Sequence, residues 1–187
     1  MPAPVMTTDD YFRTPESVLP QELAYGTFRV AEAPTARHQT AVFSFGLALA
    51  PFVREHRLGR IYLSPVDVVL DPVRHLVVQP DLLYVSRGRI GFVKERIWGP
   101  PDMVLEVLSP NPRIGQLEER LSWFAEYGVR ECWLLHQDRR RLEVVAFASG
   151  RRRVSRAFLR DAPIQSDVLP GWNLTLDEVL AVGEDEE

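Results

Sequence analysis

Cysteine is almost missing from this chain: Cys132 is the only one in 187 residues. A lone thiol excludes an internal disulfide and any cysteine-built metal cluster within one chain, and its neighbours suggest a buried strand thiol. Lysine is equally scarce. Lys94 is the only one among 22 basic residues, so nearly every positive charge is a guanidinium that stays protonated at any working pH. Long hydrophobic runs are missing too. The longest, Ala41 to Val53, is interrupted by Ser44 and Gly46 and closes on Arg54 and Glu55, short of what a bilayer requires. The opening residues, MPAPVMTTDDYFR, set acidic side chains where an export signal needs a basic start followed by an apolar run. No membrane span and a cytoplasmic location are therefore the expectations.

What is present is the composition of one globular domain with a real core: 45% hydrophobic and 26% charged residues. The formal net charge of -4 weighs weakly against nucleic-acid binding, but Glu184 to Glu187 are all acidic, and without them acidic and basic residues balance at 22 each. Arg139 to Arg141 and Arg151 to Arg153 are then local basic clusters. They suit either phosphate contact or the solvation of hairpin tips.

Proline and glycine punctuate the chain. Residues 1–20, with Pro2, Pro4, Pro15 and Pro20, are expected to be an arm with one short helix near Asp9 to Arg13. Residues 21–183 are expected to be a single domain and 184–187 an acidic tail. ELAY and TFRVAEA flank Gly26 as a small hairpin. A helix is expected from Ala36 to Leu58, with Pro51 a candidate kink and Gly59 its stop. Short β-rich runs follow: RIYLS, VDVVL, HLVVQPDLLYVS, RIGFV and DMVLEVLS. Arg113 to Tyr127 carries Leu117, Leu121 and Phe124 at helical spacing. ECWLLH and RLEVVAF form a hairpin, RRVSRAF a further strand, and Thr175 with Glu178 a capping box before a short helix. The expected class is α/β, a mixed central sheet flanked by helices.

Two carboxylates interrupt apolar strands: Asp81 after LVVQP, and Glu106 inside MVLEVL. A charge in a buried strand needs a partner, a hydrogen bond or a metal. If the two strands are neighbours, both carboxylates can face one cleft, and hard oxygen donors of this kind suit Mg²⁺ or Mn²⁺. A turn at Pro80-Asp81 and an outward-facing Glu106 are the ordinary alternatives.

The order of features is more specific than any one of them: Pro80-Asp81, Pro101-Asp102, Glu106-Val107-Leu108-Ser109-Pro110, a helix, then Gly128-Val129-Arg130-Glu131-Cys132-Trp133. From about Glu22 onward it resembles the Uma-two branch of the PD-(D/E)XK nuclease superfamily, which has a restriction-endonuclease-like fold. The resemblance implies a Mg- or Mn-dependent endonuclease acting on DNA, with Asp81, Glu106 and Val107 as metal-ligating positions. It also implies an acidic residue and a lysine four residues apart on the following helix, where this chain has Gln116 and Arg120. Arg120 can offer charge and bidentate contacts to phosphate but cannot shed a proton, so a catalytically degenerate module binding nucleic acid or protein is the alternative reading. Lys94, Glu22, Glu32 and His38 are further polar candidates for the cleft. A homodimer or higher oligomer is an option, with Trp98, Trp123 or Trp172 as contacts.

Overall fold

Short apolar runs between prolines and glycines become strands wherever a neighbour can complete their hydrogen bonding. The computed structural model of the chain describes residues 5–15, 17–108 and 117–183. In chain order its elements are α1 (Thr8–Phe12), β1 (Gln21–Ala24), β2 (Thr27–Val30), α2 (Ala36–Glu55), β3 (Gly59–Leu63), β4 (Val68–Asp71), β5 (Leu76–Val78), β6 (Leu82–Ser86), β7 (Ile97–Trp98) and β8 (Met103–Leu108). They continue as α3 (Leu117–Tyr127), β9 (Glu131–His136), β10 (Arg141–Ala148), β11 (Arg151–Leu159) and α4 (Leu176–Ala181).

The expected mixed sheet flanked by helices is present, with its strands shared between two sheets. One has the order β2-β1-β5-β4-β7, the other β11-β10-β9-β8-β6-β3. Each is antiparallel except for one parallel pair, β4 with β7 and β8 with β9. The chain crosses between sheets at Pro80-Asp81, the step from β5 to β6.

Alternation along β8 sends Met103, Leu105 and Val107 to one face of the larger sheet and Val104, Glu106 and Leu108 to the other. On the first face α2 lays Phe45, Leu49 and Val53 against Leu105 and Trp133, and α4 adds Leu176 and Val179. On the second, Leu121 and Phe124 of α3 and Val68 and Leu76 of the smaller sheet cover Val104 and Leu134. Tyr11 of α1 is buried, and its hydroxyl donates to the Gln21 carbonyl and to Asp67.

The first hairpin turns on Tyr25 and Gly26, both at positive φ, the geometry that matches strand twist in a two-residue loop. Helix α2 ends at Glu55, before Leu58, and keeps Pro51 inside it. Gly59 opens β3 instead of stopping the helix. Any Cβ there would collide with the Val85 carbonyl across the strand pair. RIGFV is not a strand: Arg87–Phe92 forms 3-10 turns with no buried residue, so nothing rewards extended pairing there. Trp123 and Trp172 are core residues, leaving Trp98 as the exposed member of the three. Gln116 and the Ser109 to Pro112 break lie outside the described residues.

Candidate functional site

Strand β8 outruns its neighbour. Leu82 at the start of β6 pairs with Leu105, and from Glu106 to Leu108 only β9 lies alongside. The side chain of Asp81 fills the vacated edge. Its Oδ2 accepts the Val107 backbone N–H at 2.7 Å, and its Oδ1 lies 3.0 Å from His38 Nε2. The Asp81 carbonyl accepts the Ser64 N–H at 2.9 Å, so both its backbone and its carboxylate are fixed. The N–H and C=O of one strand residue point to the same side; the Val107 carbonyl therefore faces the Asp81 side too. His38 stands in the first turn of α2, where Thr35 caps its backbone N–H at 3.2 Å.

Glu106 points toward α3. There Arg120 donates from Nε (3.1 Å) and Nη2 (2.7 Å) to Oε1 of Glu106, and from Nη1 to both oxygens of Glu22 at 2.7 Å. Glu22, carried in by β1, also accepts the Gln79 backbone N–H at 2.7 Å. Glu22 and Arg120 are buried, whereas 21% of the Asp81 side chain and 13% of Glu106 remain exposed. Two carboxylates share one guanidinium, and a third stands beside them. Burial pushes the Glu106 carboxyl up to about 8; Arg120 opposes the shift, and Asp81 and Glu22 add to it. Burial disfavours the charged form of Arg120, but Glu106 and Glu22 outweigh it and raise its pKa.

Asp81, Glu106, Val107, His38, Glu22 and Arg120 all line one cavity of about 200 Å³. The structure thus brings together the two strand carboxylates, Val107, the helix arginine, and two of the weaker candidates. It does not bring in the other two. Lys94 and Glu32 are exposed and outside the lining. Arg120, expected beside a phosphate, holds two carboxylates. Gln79 and Phe43 also line the cavity, and no sequence signal singled them out. Among the described residues no group of three or more His, Cys, Asp or Glu side chains is arranged to hold an ion. Two carboxylates border the cavity, together with Val107, whose N–H is held by Asp81. Glu106 Oε2 takes no hydrogen bond among the described residues.

Two mixed sheets with helices on them form a fold in which Asp81 stands where the chain passes from one sheet to the other. It is similar to the crystal structure of "a putative nuclease belonging to DUF820 from Anabaena variabilis ATCC 29413", with a TM-score of 0.80 over 96% of this chain and 99% of that one, at 17% identity. The chain belongs to the Uma2 (Uma-two) family, described as "Putative restriction endonuclease", whose model matches residues 8–177. No curated protein matches it. Among the described residues no helix is long and apolar enough to cross a membrane.

Proposed function

We propose that this chain is a divalent-metal-dependent endonuclease that hydrolyses DNA phosphodiester bonds, with Asp81, Glu106 and the Val107 carbonyl as ligands for Mg²⁺ or Mn²⁺. The observation that carries the reading is the convergence of Asp81 and Glu106 on one cavity in a chain of this family. The donor set fits such an ion. Mg²⁺ is usually held by one or two carboxylates and completes its shell with water and phosphate oxygens, so a larger protein cage is not required. When bound, the ion supplies Lewis-acid chemistry, lowering the pKa of water and offsetting charge on the phosphoryl oxygens.

The remaining work falls to the chain's own groups. Arg120 pins Oε1 of Glu106, while Glu22 holds Arg120 through Nη1. Val107 N–H and His38 fix the two oxygens of Asp81. Residues 1–20 as an arm and 21–183 as one domain are the organisation that goes with this reading; the acidic tail, 184–187, lies outside the described residues.

The test is nicking of supercoiled plasmid with Mg²⁺ or Mn²⁺. Cleavage that requires the ion and disappears in Glu106→Ala supports the reading. The tied state of Arg120, in a cavity that no lysine lines among the described residues, favours the second reading, a degenerate module that binds nucleic acid or protein. Metal binding without cleavage in the native chain and in Arg120→Lys would select it.

A further inference from the structure

Part of the cavity's lining is apolar and exposed, an aromatic ring included, beside the polar Gln39 and Ser64. Phe43 of α2 is 53% exposed and Leu63 of β3 is 43% exposed, and both line the cavity that holds Asp81 and Glu106. Phe43, Gly46 and Leu47 lie at i, i+3 and i+4, on one helical face. A Cβ at Gly46 would lie 3.3 Å from Leu63 Cδ2, so the leucine packs on the bare helix backbone there. Leu47, one turn on from Phe43, is also exposed, so exposed apolar side chains of α2 and β3 stand beside the opening that Phe43 and Leu63 line. Monomeric proteins leave such patches uncovered mainly where something binds.

Resting on the nuclease reading above, we propose that this opening receives an unpaired nucleotide, with its base stacked on Phe43, and that the preferred substrate is single-stranded nucleic acid. A duplex turns its phosphates outward and seals its base faces inside, so it offers exposed apolar side chains nothing to bury. It is held mainly by cations set against its backbone. Arg120 is the one cation lining this cavity among the described residues, and it is bound to Glu22 and Glu106. A single strand presents base faces, which stack on aromatic side chains whatever their sequence. With its phosphate directed at the recessed carboxylates, such a strand can rest the neighbouring base on the exposed ring.

The test uses fluorescence anisotropy with a short labelled oligothymidine and a duplex of equal length, in Ca²⁺ to hold the substrate uncleaved. Tighter binding of the single strand is expected, weakened about 5- to 150-fold by Phe43→Ala. Phe43→Tyr, which keeps the ring, should bind like the parent. Phe43→Leu, which keeps apolar area but not the flat face, should bind like the alanine variant. Equal or tighter duplex binding, or indifference to Phe43→Ala, overturns the proposal while leaving metal-dependent cleavage standing. Mn²⁺ binding with no affinity for either nucleic acid overturns the nuclease reading along with it. If Phe43→Ala lowers the molar mass in light scattering and leaves oligonucleotide affinity unchanged, the patch joins copies of this chain and the proposal is wrong.

Discussion

Two carboxylates share the Arg120 guanidinium, and removing it would leave Glu22, which is fully buried, without its counter-charge. Arg120→Ala should therefore cost about 3–5 kcal/mol of folding stability, measured by urea unfolding. Glu106→Gln should act in the opposite direction, since the Glu22–Arg120 pair survives it. The Glu106 pKa is raised in the fold to about 8 from an ordinary 4.5. Its ionised form is thus disfavoured by folding, and the parent loses stability as pH rises between those two values. In EDTA, the Tm of Glu106→Gln minus that of the parent should grow from pH 5 to pH 8. A flat difference would mean that Arg120 fully compensates the carboxylate. The sequence marks such residues only in part. Glu106 interrupts an apolar strand, but Glu131, which opens the apolar β9 and is more deeply buried, spends its oxygens on Trp133, Ser166 and the Asp167 backbone. Asp102, inside the quoted motif order, accepts the Ser86 N–H and faces Arg89 and Arg130. A buried acid is legible from its apolar neighbours. Whether it is spent internally or faces a cavity depends on partners far away in the chain.

Elements with local signals were the readable ones. The turn at Gly26, the capping box at Thr175 and the apolar stripe of α2 each depend on residues a few positions apart, and each forms, α2 ending three residues earlier than expected. Thr175→Ala should cost about 1 kcal/mol by removing the side-chain cap on the Glu178 N–H. Phe45 on the inward face of α2 is fully buried against Trp133, and Phe45→Ala should cost about 3–5 kcal/mol. Both are read from denaturant midpoints. The division into two sheets was not readable, because a short apolar run carries no mark of its partner: β1 pairs with β5 across more than fifty residues. RIGFV has strand-like composition, yet Gly91 and the lack of any buried residue leave Arg87–Phe92 in 3-10 turns.

At the scale of the molecule, the site exists because separate elements meet at the step from one sheet to the other: β1 brings Glu22, α2 His38, the β5–β6 crossing Asp81, β8 Glu106 and α3 Arg120. That junction is invisible in any single segment, because each of these residues comes from a different element. A cation bound only by the assembled site stabilises the whole fold, so Mn²⁺ at about 100 times its Kd should add about 2.7 kcal/mol to unfolding, seen as a rise in Tm that EDTA reverses. The central claim is that Asp81 and Glu106 hold one ion together, and isothermal titration of the purified chain with Mn²⁺ tests it most directly. One site per chain is predicted in the parent, lost in both Asp81→Asn and Glu106→Gln. Unchanged Mn²⁺ affinity in both folded variants would contradict it.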